Sequence, residues 1–156
     1  VGLAGMGCGG GRVAAELKKV VWMTREEIEG LEGRFLDAAI ASKIFGDDVV
    51  WVVEERAKLI RRLPDGQYLV VPPYSDSMAD AWGVVLRMAE LGYDLEIHEL
   101  TLRAGYEDRP FISLSFGRRK TDHARNLYGY EGPVPVAICR AALIARCGEE
   151  NADDDA

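Results

Sequence analysis

The chain is short of the residues that hold metals or staple folds. Its 156 residues include three cysteines and two histidines. Cys139 and Cys147 fall on one predicted helix about 12 Å apart along its axis, too far to bridge each other. Cys8 is remote from both. No zinc-type spacing of cysteine or histidine occurs, so no metal and no cofactor is expected. No stretch of about 18 apolar residues is present, which leaves nothing to span a bilayer. The first residues lack the apolar centre of a signal peptide. Internal repeats are absent, and so is any helix-turn-helix or stacking-sheet signature, which with net acidity sets nucleic acid aside as a partner. These absences together read as a cytoplasmic protein with reduced thiols.

What is present suits one globular domain. Apolar residues make up 48% of the chain and charged residues 29%, enough for a real core. The net charge is −7, but five of the negative charges are Glu149, Glu150, Asp153, Asp154 and Asp155, leaving the body at −2. Residues 149–156 read as an acidic, disordered tail. Residues 1–22 are also set apart. Half of the first twelve are glycine, and Gly5, Gly7 and Gly10 match G-x-G-x-x-G. A dinucleotide fingerprint needs a buried strand before it, and four residues are too few. We expect an extension ahead of the domain, disordered or weakly helical around residues 12–21. Residues 23–148 then form the single domain.

The domain opens on a capping box, Thr24-Arg25-Glu26-Glu27, followed by an apolar face of Ile28, Leu31, Phe35, Ala39 and Ser42. Gly30 and Gly33 weaken this stretch, so it can divide in two before Gly46. Val49 to Glu54 reads as a strand. Residues 59–63 and 67–71 flank Pro64-Asp65-Gly66, a hairpin turn, and Pro72-Pro73 stops the second strand. Asp76 or Ser77 caps the next helix, whose stripe is Met78, Trp82, Val85, Leu86 and Ala89 and whose end is Gly92. Trp82 on that stripe reads as core. Leu95 and Ile97 are one residue out of phase with Leu100 and Leu102, which predicts a bulge near His98-Glu99. Ile112, Leu114 and Phe116 alternate with Ser113 and Ser115 as a half-buried strand. A polar loop follows, and the last helix starts near Pro133-Val134-Pro135, buries Val136, Cys139, Ala142 and Leu143 or the face of Ile138, and ends at Gly148.

Three of these stretches resemble the phage ABA-sandwich domain. They are Met23 to Ile28 with Leu36 to Ile44, then Pro72-Pro73-Tyr74-Ser75-Asp76-Ser77-Met78-Ala79-Asp80-Ala81-Trp82, then Pro135 to Leu143. The resemblance spans residues 23–147. It implies a phage or prophage protein acting in the infected bacterial host, but no transferable catalytic motif. The expected class is α+β, an α/β/α sandwich with a largely antiparallel sheet of about four to five strands and three main helices.

The richest candidate surface is residues 103–125, which carry Arg103, Arg109, Arg118, Arg119, Lys120 and Arg125 against Glu107, Asp108 and Asp122. Arginine clusters fork onto phosphates, and Tyr106, Tyr128 and Tyr130 offer faces for a base. The Pro-Pro-Tyr-Ser corner precedes a helix N-terminus, so Tyr74 and Ser75 are candidates for a pocket mouth. The expected function is non-enzymatic binding of a small, phosphorylated, nucleotide-like ligand, as in a sponge that sequesters a host immune signal. Arg103, Arg118, Arg119 and Lys120 meet the phosphates in that reading, and Tyr74 or Tyr128 stacks on the base. A homo-oligomer is expected to complete the pocket. The alternatives are a protein–protein inhibitor or oligomeric accessory protein, and a small nucleotide hydrolase using Asp122-His123.

Overall fold

A computed structural model describes residues 23–53, 57–106, 109–118 and 126–154. The order is α1 (Arg25–Glu29), α2 (Gly33–Lys43), β1 (Asp48–Val53), β2 (Ala57–Arg62), β3 (Tyr68–Val70), α3 (Met78–Glu90), β4 (Tyr93–Thr101), β5 (Phe111–Arg118), β6 (Tyr128–Glu131) and α4 (Val134–Asp154). The class is α+β, and every strand pair is antiparallel.

Local chemistry sets the boundaries. The Thr24 hydroxyl accepts from the Glu27 amide at 3.1 Å, capping α1. The helix ends at Gly30, and Gly33 takes φ 52° to start α2, so the glycines divide the stretch in two. Ser77, not Asp76, caps α3, its hydroxyl accepting from the Asp80 amide. The β2–β3 turn closes through the Leu63 amide on the Gln67 carbonyl at 2.8 Å, with Gly66 at φ 85°, a backbone that side chains disfavour.

The sheet is where sequence and structure part. In place of one sheet of four to five strands, there are two of three, ordered β1-β2-β3 and β4-β5-β6. Pro72-Pro73 accounts for the end of β3. Proline has no amide hydrogen to extend a ladder, so β3 stops after three residues and the chain leaves for α3 before β4 begins. Four helices are described rather than three. They gather round α4, which packs on α1, α2, α3, β5 and β6, while α2 carries β1 and β2. These contacts do not confirm a sandwich with helices on both faces of one sheet.

The core centres on α4. Every residue from Ala137 to Ala145 is buried, as expected of a helix surrounded on all sides. Against it lie Ile28, Leu36 and Ile40 from the first helices, Val84 and Met88 from α3, and Ile112, Leu114 and Phe116 from β5. The helix runs on past Gly148, its expected end, to Asp154, because an interior glycine costs only about 1 kcal/mol. Two more expectations change. Strand β5 is buried on both faces, Ser113 and Ser115 included, not half-buried. On α3 the inward residues are Ala81, Val84, Val85 and Met88, whereas Met78, Trp82 and Leu86 are exposed, Trp82 by 52%. Small residues let α3 approach the alanines of α4, and the bulky stripe is left outside.

Candidate anion pocket at the end of the second sheet

The bulge expected near His98-Glu99 is present. Ile97 pairs with Leu114 and Leu100 with Ile112, the register shifting between Ile97 and Glu99. Beyond it the last row across the sheet is Thr101, Phe111 and Glu131, one residue from each strand. By alternation along β5, Phe111 faces away from the helices, opposite to Ile112. Its ring lies over Gly129, 3.3 Å from where a Cβ would stand.

The β4–β5 loop folds over this row. Arg103 and Tyr106 are tied by a backbone bond of 3.0 Å, and Tyr106 and Arg109 by one of 2.9 Å. The Gly132 amide on the Pro110 carbonyl fixes the far side. Together Thr101, Arg103, Tyr106, Arg109, Phe111 and Glu131 line a cavity of about 340 Å³, within the size range of small-molecule sites. Among the described lining residues two guanidinium groups stand against one carboxylate. Tyr106 and Phe111 supply aromatic surface, 58% and 37% exposed.

The other expected site residues fall elsewhere. Arg118 pairs with Tyr93 at the opposite end of β5 from Phe111, roughly 23 Å away along the strand, with its guanidinium over the Tyr93 ring. An antiparallel hairpin separates its mouth from its base, so Arg103 and Arg118 do not form one site. Arg119, Lys120, Asp122, His123 and Arg125 lie outside the described residues, as does the Gly5-Gly7-Gly10 segment.

Tyr74, Ser75 and Tyr128 are internal rather than at a pocket mouth. Tyr74 is buried with its ring stacked on Phe45 at 5.1 Å. Burial pushes its hydroxyl up to about 12, with nearby Asp47 adding to the shift. The Ser75 amide donates to buried Asp37 at 2.7 Å, and the Ser75 hydroxyl donates to the Gly33 carbonyl. Tyr128 accepts from Arg140 Nη1 at 3.1 Å and stacks on Tyr130. Burial raises its pKa, partly offset by the Arg140 hydrogen bond. Arg140 also donates twice to the Leu31 carbonyl and lies over the Tyr130 ring. This network ties α4 to β6 and to the α1–α2 link. Burial likewise raises the Cys139 thiol, which makes it a small apolar core residue.

One constellation invites a catalytic reading. His98 Nε2 lies 3.3 Å from Ser115 Oγ and 3.9 Å from Glu96 Oε1. A triad needs serine and carboxylate on different ring nitrogens. Here both approach Nε2, and Ser115 is wholly buried in a central strand. Among the described residues no three metal-binding side chains cluster, and no helix is long and apolar enough to cross a membrane.

Thr101, Phe111 and Glu131 are pocket residues that the sequence did not single out, and Arg109 was counted in the basic surface without an assigned role. The signal available was the register, since locating the bulge places Thr101 opposite Phe111.

Scans against protein-family models and against curated proteins return no match. Among solved structures the chain is similar to a phage protein from Bacillus cereus, with a TM-score of 0.47 and 22% identity over 74% of this chain and 93% of that one. A likeness of that depth assigns neither family nor activity.

Proposed function

We propose that the chain is a binding protein for a small, phosphorylated, nucleotide-like ligand, held without turnover in the cavity under the β4–β5 loop. The observation that carries this is the convergence of Arg103 and Arg109 with Tyr106 and Phe111 on one cavity. Guanidinium forks meet phosphate oxygens in pairs, and aromatic faces accept any base. Glu131 offers an acceptor for a sugar hydroxyl or an exocyclic amine. The resemblance of residues 23–147 to the phage sandwich domain supports a phage setting, in which withholding a nucleotide signal from host defence is a plain use for such a site. Arg118 lies at the other end of the hairpin and is not required in this reading.

Calorimetry with cyclic dinucleotides, cyclic ADP-ribose variants and ordinary nucleotides tests the proposal, with the recovered ligand examined by chromatography. One member should bind and return intact. Arg103→Ala and Arg109→Ala should each weaken it about tenfold or more, since a charge-assisted hydrogen bond contributes roughly 1.5–3 kcal/mol. Equal affinity in both variants would remove the cavity from consideration, and an altered ligand would make the protein an enzyme.

A second reading has its own observation. Phe35 and Trp51 are exposed side by side, with ring centroids 5.5 Å apart, and exposed aromatics mark protein contacts. A protein inhibitor using that face would bind its target in the absence of any nucleotide.

A further inference from the structure

We propose that the outer edge of β4 is the seam of a two-fold dimer, formed by antiparallel pairing of β4 with β4 of a second copy. Among the described residues nothing pairs with that edge, because β4 is the terminal strand of its sheet. It is nine residues long, and Ile97, Leu100 and Leu102 beside it are 53%, 53% and 65% exposed. The strand also carries Asp94, Glu96, Glu99 and a bulge, which restrict what can add to it. A long edge with exposed apolar side chains is nonetheless one that natural proteins tend to cover.

The side-chain pattern identifies the occupant as the strand itself. Two identical strands pair antiparallel about a point, and the point midway between His98 and Glu99 sets like against like. Leu95 then faces Leu102 of the second copy, and Ile97 faces Leu100. Asp94 faces Arg103, a pair of opposite charges, while Glu96 faces Thr101 and His98 faces Glu99. A slip of one residue places Ile97 opposite Glu99 or Thr101. A slip of two places it opposite His98, or places Leu100 opposite Glu99. Only the centred register matches all four apolar residues, and registers are fixed by such patterns.

The bulge makes this register possible. Leu95 pairs with Phe116, Ile97 with Leu114 and Leu100 with Ile112, and those partners all face the helices. Without the extra residue at His98, Leu100 and Leu102 would point to the other face from Leu95 and Ile97. With it, all four share one face and one hydrogen-bonding phase.

Helix α3 adds an independent observation. It packs on β4 from the helix side of the sheet, and its exposed Met78, Trp82 and Leu86 form a stripe roughly 110° round from its buried face. In the dimer the sheet runs β6-β5-β4-β4-β5-β6. The two α3 helices then lie over neighbouring strands, where their apolar flanks meet. The two cavities sit at opposite ends of the seam. Arg103 has donors enough to serve both the second copy's Asp94 and a phosphate.

Sedimentation velocity of the full chain should give twice 17.2 kDa. Leu100→Arg should reduce this to the monomer mass while its circular dichroism stays unchanged. Should that variant misfold, cross-linking decides: Ile97→Cys with Leu100→Cys should oxidise to a covalent dimer absent from the parent, and Ile97→Cys with Glu99→Cys should not. A monomeric parent overturns the proposal, since another segment or partner then takes the edge. So does a folded Leu100→Arg dimer, or cross-linking of the slipped pair in preference to the centred one.

Discussion

At the scale of single residues, Asp37 binds the first half of the domain together. It is 1% exposed, yet its two oxygens accept from the Ser75 amide and from Arg34 Nη1, both at 2.7 Å. Arg34 continues to the Val71 carbonyl at 2.6 Å and the Pro72 carbonyl at 3.4 Å. The proline corner cannot use amide hydrogens at Pro72 and Pro73, so α2 supplies the polar groups that hold it. Asp37→Ala leaves a buried amide and a half-buried guanidinium without their acceptor. The expected cost is about 3 kcal/mol in a urea melt. A loss below about 1 kcal/mol would mean that water replaces the carboxylate. None of this was legible in the sequence, where Asp37 was given no role and Tyr74-Ser75 reads as a pocket mouth. The partner that buries them is 38 residues away.

At the scale of elements, local punctuation was read well and facing was read poorly. The capping box, the split at Gly30 and Gly33, the Pro-Asp-Gly turn and the bulge beside His98 each follow from one or two residues with a fixed conformational preference. Which side of α3 turns inward does not, because both of its stripes are apolar and period alone cannot rank them. The size of the opposing surface decided it. On a Leu100→Arg background, where assembly does not enter, Trp82→Ala should change folding stability by less than about 0.5 kcal/mol. Met88→Ala should cost roughly 2–5 kcal/mol. Equal losses would place Trp82 in the core after all. The cavity was half legible for a similar reason. Arg103, Tyr106 and Arg109 lie within one loop, whereas Phe111 and Glu131 join them only through the pairing of three strands.

At the scale of the whole molecule, buried ionisable groups make the fold sensitive to alkali. Cys139 ordinarily ionises near 9.0, Tyr74 and Tyr128 near 10.0, and all three are raised by burial, Tyr74 to about 12. From about pH 9 upward the unfolded chain releases protons that the folded chain keeps. Stability therefore falls as pH rises toward 12, and it is unaffected by these groups below pH 9. Calorimetric Tm should decline steadily from pH 9.5 to 11.5, and Tyr74→Phe should flatten the slope. A level Tm across that range would show that these groups reach solvent in the native state. Fold class and strand direction were legible at this scale. The division into two sheets was not, since the chain states where β3 stops but not whether β4 returns beside it.

The position of α4 has a consequence for biosynthesis. Helices α1, α2 and α3 and strands β5 and β6 rest on α4, whose buried residues 137–145 follow all of them in chain order. Until residues 137–145 emerge, Ile28, Leu36, Ile40, Ile112 and Leu114 lack the α4 surface that they share in the core. At about 5–20 residues per second, the nascent chain carries that uncovered apolar surface for several seconds. The packing of α1, α2, α3, β5 and β6 on α4 thus completes only after α4 itself has been made.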